Sequence, residues 1–389
     1  MLLILHIIGY VVLALAAVGV SYALAAAWLV RRFLARPIAP AAERPAVTLL
    51  KPLHGDEPGL YEALTSFVAL DYPGPVQIVF GTHTEDDPAA AVARRLRADH
   101  PDRDIQLVAD PRLAGQNRKI SNVINMMAAA RHDVLVLSDS DIAVPPDYLL
   151  RITDALAQPG VGVVTCLYTG TSPSAAGSGG FWSRLAAMAI SYQFLPNAVL
   201  GSSLGLAQPC FGSTIALTRQ TLEAMGGFEA FADLLADDFE IGRAARVMGL
   251  TIAIPPMTVR HCSHEPDAAS LVGHELRWGR TIRLIEGAGY AGSVVTHALP
   301  LSLIALACLG PAPAALALVA AALAARAVLK LQVDAATGVG RSHMAGNLWL
   351  LPLRDVLSFA IFLASFASNQ VSWRGRRFRV QPDGVLTHH

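Results

Sequence analysis

The stretch Val134-Leu135-Val136-Leu137-Ser138-Asp139-Ser140-Asp141 decides how the rest of the chain is read. Four apolar residues in a row, two of them β-branched, suit a strand buried on both faces. They end abruptly in two carboxylates one residue apart. In α/β domains reactive groups gather at the carboxyl ends of parallel strands. A D-x-D pair on the loop leaving such a strand can hold a divalent cation through oxygen, shared with substrate phosphates. A turn of solvated acids is the other reading of Asp139 and Asp141. Outward from this point, 47–50, 76–80 and 105–108 are further short apolar runs, and 57–70, 88–99 and 117–130 carry helical patterns. Strands alternating with helices predict βαβ units, and so an α/β domain with a mostly parallel sheet over residues 47–285.

Composition limits the function classes. The chain has 389 residues, with 30 Lys and Arg against 30 Asp and Glu, so its formal net charge is zero. Only 15% of residues are charged and 53% are hydrophobic, whereas a soluble domain carries about 25% charged residues. A nucleic-acid binder needs a basic excess, and a disordered chain is polar and charged; neither fits. Cys166, Cys210, Cys262 and Cys308 are far apart. They suggest no zinc cage or disulfide framework, and reduced thiols facing the cytosol fit.

The apolar residues cluster at the two ends. Residues 2–30 contain no Asp, Glu, Lys or Arg, enough to span a bilayer. A cleaved signal peptide has a basic start and a short apolar core. This start lacks both, and Arg31, Arg32 and Arg36 follow the run. An uncleaved anchor over 1–36 is expected, with the chain beyond it in the cytoplasm. Residues 37–46 read as a Pro/Ala linker. Runs at 294–309, 312–329 and 347–371 predict a C-terminal region of transmembrane or re-entrant helices over 294–373. Arg354 and Asp355 fall inside the third run and need partners there. The tail 374–389 carries Arg374, Arg376, Arg377 and Arg379, which prefer the cytoplasm. Three full crossings would put that tail outside, so one C-terminal segment is expected to be re-entrant or interfacial. Residues 181–200 read either as an interfacial helix that guides a lipid or as a core helix of the soluble domain. The Gly/Ser/Pro-rich stretch 170–180 reads as a lid.

Three further clusters carry candidate chemistry. In Glu85-Asp86-Asp87-Pro88 the acids are either ligands or the cap of a helix opened by Pro88. Asp237-Asp238 sits among apolar residues, where a carboxylate can have a raised pKa and act as a general base; a helix N-terminus is the competing reading. His274-Glu275-Leu276-Arg277-Trp278, followed by Arg280 and Arg283, puts arginines on one helix face. They could grip a diphosphate or lie at lipid headgroups.

The order matters more than any one cluster: D, D-x-D, D-D, then R-W, between an N-terminal membrane helix and C-terminal apolar segments. In that order the chain resembles the ceramide glucosyltransferase family, inverting nucleotide-sugar transferases with a GT-A fold. The resemblance covers nearly the whole chain. It is carried also by Leu49-Leu50-Lys51-Pro52-Leu53-His54-Gly55, Asp71-Tyr72-Pro73, Asp86-Asp87-Pro88-Ala89 and Asn117-Arg118-Lys119-Ile120-Ser121-Asn122. It implies a GT-A domain flanked by transmembrane or interfacial helices, a UDP-sugar donor, a divalent cation (Mg²⁺ or Mn²⁺) and a membrane lipid acceptor. Asp87 then matches the aspartate implied to contact the nucleotide, and Asp139 the second essential aspartate. Asp141 completes the D-x-D where animal members have a neutral residue, and Asp139 and Asp141 are the implied cation ligands. Asp238 matches the implied catalytic base. Lys51 falls in a loop that could contact the nucleotide. The last motif is usually Q/R-x-x-R-W; here His274 holds its first place, while Arg277 and Trp278 match. Within the family the chain looks similar to a bacterial branch associated with hopanoid biosynthesis, through 131–137, 209–217 and 274–278. That branch implies transfer of N-acetylglucosamine from UDP-N-acetylglucosamine to the terminal hydroxyl of bacteriohopanetetrol at the bacterial inner membrane. The alternatives are a ceramide glycosyltransferase using UDP-glucose or UDP-glucuronate, and a non-enzymatic transporter or scaffold. Transporters hold their polar site groups within spanning helices, whereas the candidates here lie in the soluble stretch.

Overall fold

A computed structural model gives the structure of the protein and describes residues 2–172, 180–339, 344, 346–373, 376–380 and 386–388. Residues 173–179, most of the stretch read as a lid, lie outside the described residues, as do 374–375, 381–385 and 389 of the basic tail. The chain packs as two compact units. One comprises Arg36–Ser183 and Ala207–His264; the other comprises Met1–Ala35, Arg184–Leu206 and Glu265–His389.

The first unit is the expected α/β domain. Its strands are β1 (Val47–Pro52), β2 (Val76–Thr82), β3 (Asp104–Ala109), β4 (Val134–Leu137), β5 (Ile142–Ala143), β6 (Val161–Thr165), β7 (Leu167–Thr171), β8 (Ile215–Thr218), β9 (Thr251–Ala253) and β10 (Thr258–Cys262). Among the described residues the main sheet has seven strands in the order β3-β2-β1-β4-β8-β6-β9. Strand β1 lies parallel to both β2 and β4, and β2 parallel to β3. Only β8 runs against its neighbours β4 and β6.

Side-chain alternation explains why these runs form a covered sheet. Leu49, Ile78, Phe80 and Val136 enter one core with Phe67 and Tyr148. Their neighbours Leu50, Val79, Leu135 and Leu137 enter the other core with Ile120 and Ile241. Successive side chains of a strand point to opposite faces, so an unbroken apolar run means helices on both sides. The winding reverses at β1: β2 and β3 lie on one side of it and β4 on the other. The loops leaving β1 and β4 therefore open at a topological switch point, where α/β sheets bind ligands.

A smaller sheet in the order β5-β10-β7 lies beside this crevice. Strand β5 starts immediately after Asp141. It pairs antiparallel with β10, which sets His261 opposite Ile142.

The second unit holds three helices long and apolar enough to cross a membrane: Leu2–Leu34, Pro313–Ala336 and Leu348–Ser365. The pair Gly287–Thr296 and Ala298–Leu309 is bent by 67°, the shape of a broken span or a re-entrant loop. The first helix turns Leu3, Ile4, Ile7 and Val11 outward, which suits contact with lipid. Its Gly19 is a close-packing point: a Cβ there would lie 2.3 Å from the Val295 carbonyl oxygen. The charges described in Pro313–Ala336 and Leu348–Ser365 are paired. Arg326 forks onto Asp355, with Nε–Oδ2 at 2.8 Å and an Nη–Oδ1 contact at 2.7 Å. Lys330 pairs with Asp334, which also accepts from the Tyr192 hydroxyl at 2.7 Å. Arg354, 1% exposed, forks onto Glu275 at 2.8 and 2.5 Å.

Two segments depart from the expected boundaries. Residues 184–206 and 265–285, read from the sequence as part of the 47–285 domain, pack instead with the membrane-type helices. The physical reason is their polar anchoring. Tyr192 lies in a π-helical turn, Ile190–Phe194, inserted between the helices Gly180–Ala189 and Leu195–Ser203. The Tyr192 carbonyl accepts from Arg326, and the Leu185 carbonyl from Arg354. The basic tail also has structure: β11 (Gln370–Trp373), β12 (Arg376–Val380) and β13 (Leu386–His388) form an antiparallel sheet.

Candidate active site

The first unit gathers Lys51, Asp139, Asp141, Asp237 and Asp238 around the switch point. Lys51, next to last in β1, has its side chain wholly buried. Its ammonium donates to Ser138 Oγ at 3.2 Å and to the Asp139 carbonyl, and it lies 3.9 Å from the centre of the Phe67 ring. Burial brings its pKa down to about 7, against the pull of Asp139, Asp141 and Glu57. Lys51 is thus a brace beneath the D-x-D loop. The sequence reading puts Lys51 in a loop; it lies in β1 instead, which points its side chain inward.

Asp139 and Asp141 leave β4 in different environments. Asp139 Oδ1 pairs with the Lys119 ammonium at 2.8 Å. Burial raises its pKa, with Lys119 opposing. Asp141 Oδ2 lies 3.1 Å from His261 Nε2, while His261 Nδ1 lies 3.2 Å from Ser263 Oγ. The backbone N–H of Cys262 donates to the Asp141 carbonyl at 2.8 Å, which fixes this register.

Asp237 and Asp238 open the helix Asp237–Val247, as the sequence allows. Asp237 Oδ2 takes the other side of Lys119 at 3.0 Å, and Oδ1 accepts from Asn117 Nδ2 at 3.2 Å. Asn117 is also the N-cap of Arg118–Met126, its side chain accepting from Ile120 N. Asp238 accepts from the backbone N–H of Gly212 at 2.9 Å. Burial, then Asp237, pushes the Asp238 carboxyl up to about 6, while Lys119 pulls it down. Gly212 sits between the two acidic motifs, and a Cβ there would lie 2.7 Å from Asp139 Oδ2. Tyr168 completes the lining, its ring 6.0 Å from those of both Phe211 and His261. Burial, then Asp238, Asp141 and Asp139, holds its hydroxyl proton above the ordinary range.

Asp87 is both a helix cap and a loop clamp. Its Oδ1 accepts from Ala89 N at 2.9 Å and Gly55 N at 2.8 Å, and His54 Nδ1 lies 3.2 Å from Oδ2. Two substitutions separate this role from a nucleotide contact. Asp87→Ala removes the cap and is expected to cost about 1–2 kcal/mol of stability, read as a lower Tm in detergent. Asp87→Asn keeps the cap. Loss of UDP affinity at unchanged Tm in that variant assigns Asp87 to the nucleotide, and unchanged affinity leaves it structural.

The remaining candidates belong to the other unit, on the helix Ala268–Ile285. His274 Nδ1 pairs with Glu265 Oε1 at 2.7 Å, and its ring meets Trp278 edge-on at 4.5 Å. Arg277 follows one turn on, its carbonyl accepting from Thr281 Oγ1 at 2.8 Å. Arg280 and Arg283 donate to the backbone carbonyls of Gln370 and Ser368, so these two serve the turn before β11.

A cation fits the first unit on its donor set. Among the described residues no three His, Cys, Asp or Glu side chains converge into a closed cage. Asp141 and His261 instead offer one oxygen and one nitrogen face to face. The Asp141 carboxylate is the oxygen ligand that a hard cation takes together with phosphate oxygens and water, whereas the His261 imidazole suits a softer divalent metal. Asp139, engaged by Lys119, is the weaker of the two expected ligands.

Sequence reading missed His261, Tyr168, Gly212 and the bridging role of Lys119. The strand Thr258–Cys262 gives no sign that His261 pairs beside the D-x-D. Lys119 stood in a quoted motif, but only the fold brings Asp237 to it.

Known proteins are similar to this chain in family and fold. The family model for glycosyl transferase family 21 matches residues 11–386. Ceramide glucosyltransferase 1 of Caenorhabditis elegans is 27% identical over 211 residues, 54% of this chain and 44% of that protein. The beta-monoglucosyldiacylglycerol synthase of Synechocystis is 27% identical over 203 residues, 51% of this chain and 39% of that protein. The chain thus spans less than half the length of these two relatives. The mannosyltransferase PcManGT of Pyrobaculum calidifontis, solved with GDP-Man and Mn²⁺, superposes with a TM-score of 0.51 at 23% identity. It covers 92% of this chain and 99% of that one. The fold is of the GT-A type.

Proposed function

The chain belongs to glycosyl transferase family 21, and from that premise we propose that it moves a hexosyl group from a UDP-sugar to a hydroxyl of a membrane lipid, with inversion. The single observation that carries the reading is the approach of the Asp139 and Asp238 motifs to each other across Gly212. It sets a phosphate-side loop beside a buried carboxylate of raised pKa. The names of the relatives favour glucose as the sugar and ceramide, or a diacylglycerol, as the acceptor. The N-acetylglucosamine and bacteriohopanetetrol reading has no such support.

Asp238 accepts the proton of the attacking hydroxyl. The new C–O bond forms at the anomeric carbon on the face opposite the breaking bond to the diphosphate. UDP leaves, and one displacement inverts the centre. Lys51 and the β5–β10 pairing hold the D-x-D loop in place. Asp141 and His261 would hold a cation, which would supply positive charge to the diphosphate. By the family resemblance Arg277 and Trp278, on the helix Ala268–Ile285, belong to the family's last motif. The basic residues Arg31, Arg32 and Arg36 after the first apolar helix favour a cytoplasmic side for the chain that follows it.

The test is transfer of labelled sugar in membranes. UDP-glucose, UDP-glucuronate and UDP-N-acetylglucosamine are each paired with ceramide, diacylglycerol and bacteriohopanetetrol. Glucose on ceramide or diacylglycerol is expected, lost with EDTA and restored by Mg²⁺ or Mn²⁺. Label from UDP-N-acetylglucosamine on bacteriohopanetetrol alone would reassign the substrates. UDP binding with label on none of these lipids would refute the reading.

A further inference from the structure

Lys119 lies at a junction. Its ammonium contacts Asp139 Oδ1 at 2.8 Å and Asp237 Oδ2 at 3.0 Å. One of these carboxylates belongs to the D-x-D loop after β4, the other to the helix that carries Asp238. The bridge is held from behind by Asn117. Its side-chain amide donates to Asp237 and to the Leu234 carbonyl, and its backbone N–H donates to the Ala232 carbonyl at 2.7 Å. Asn117 also caps the helix that begins at Arg118, so Lys119 stands on the rigid first turn of that helix. Burial alone would depress the ammonium, but Asp139, Asp237 and Asp238 together hold its proton above the ordinary range. Lys119 thus bridges two carboxylates from different segments.

We propose that Lys119 is a positioning residue that joins the donor half of the site to its base half. Through its two ion pairs it sets the distance between the Asp139 loop and Asp238. Gly212 gives the spacing no slack: its N–H is donated to Asp238, its carbonyl accepts from Asp139 N at 3.3 Å, and a Cβ there would clash with Asp139. Loss of the bridge lets one motif shift against the other. It leaves Asp141, His261 and Asp238 in place as groups, so the proposal concerns geometry and not the supply of a proton or a ligand.

This inference rests on the glycosyltransferase reading, and wild-type transfer is measured first. Absence of transfer there defeats that reading, whereas the variants below decide this one. Misplacement by 1 Å can cost about 10²-fold in rate, so Lys119→Met is expected to lower kcat by about 10²-fold, with UDP affinity by calorimetry near the wild-type value. Asp237→Asn keeps the shape of the helix start and the Lys119–Asp139 pair, and it tests the same bridge if Lys119→Met does not fold. It should lower kcat by less. Residues that act through one bridge are not additive, so Lys119→Met/Asp237→Asn should be no slower than Lys119→Met to within about twofold. Wild-type kcat in both single variants overturns the proposal. So does UDP affinity that falls in step with kcat, since Lys119 would then be a donor ligand. Single losses that multiply in the double variant also overturn it.

Discussion

Asp238→Asn should cut turnover by about 10²- to 10⁴-fold, the range that a positioned general base contributes, and leave UDP binding intact. Asparagine keeps the volume and can still accept the Gly212 N–H, but it cannot take the proton of the acceptor. The pH dependence has a definite sign. The base works ionised, and burial and Asp237 push its pKa up to about 6. Wild-type kcat should therefore fall as pH drops through that region; a bound cation moves the limb lower. Stability should move the other way. A carboxylate whose folded pKa is raised destabilises the fold where it is ionised, and the effect disappears below its ordinary value of 3.8. Asp238→Asn should thus have a higher Tm than wild type at pH 8 and the same Tm below that value. Retained turnover, or UDP affinity lost in proportion to turnover, would end the assignment of Asp238 as base.

The second large effect lies in the apolar helices. Arg326→Leu leaves Asp355, 5% exposed, without its guanidinium partner. Breaking a buried pair by removing one member costs about 3–5 kcal/mol, a large share of the stability of any domain. The expected result is little folded protein on gel filtration in detergent. Arg326→Leu/Asp355→Leu removes both charges and should recover most of the folded yield, because replacing a whole buried pair with apolar side chains is often neutral. Equal yields for the single variant and wild type would show that the pair does not hold the helices. A double variant as poor as the single would show that Arg326 acts mainly through the Tyr192 carbonyl, which accepts its other nitrogen at 2.8 Å.

The legible parts of the chain were those governed by local rules. Strand period and the abrupt carboxylates of 134–141 gave β4 and the D-x-D loop. The Asp-Pro pair at 87–88 gave a helix start, and the acids at 237–238 another. What the sequence hid depends on pairing between distant segments. His261 reaches Asp141 only because two-residue β5 finds β10, and Lys119 reaches Asp237 across 118 positions. Residues 181–200 were ambiguous for a different reason: an apolar helix looks the same whether it faces a soluble core or lipid. The Tyr192 and Leu185 carbonyls, which accept from Arg326 and Arg354, decide its company, and no periodicity encodes that.

The paired charges also bear on how the chain enters a bilayer during synthesis. Lys330 and Asp334 neutralise each other four residues apart within one helix, so that part of Pro313–Ala336 can be handed to lipid as it emerges. Arg326 has no such local partner. Its carboxylate arrives 29 residues later, in the next apolar helix. Until then the guanidinium needs water or the insertion machinery around it. The two helices are best released sideways together, as a hairpin whose second arm carries the neutralising charge of the first.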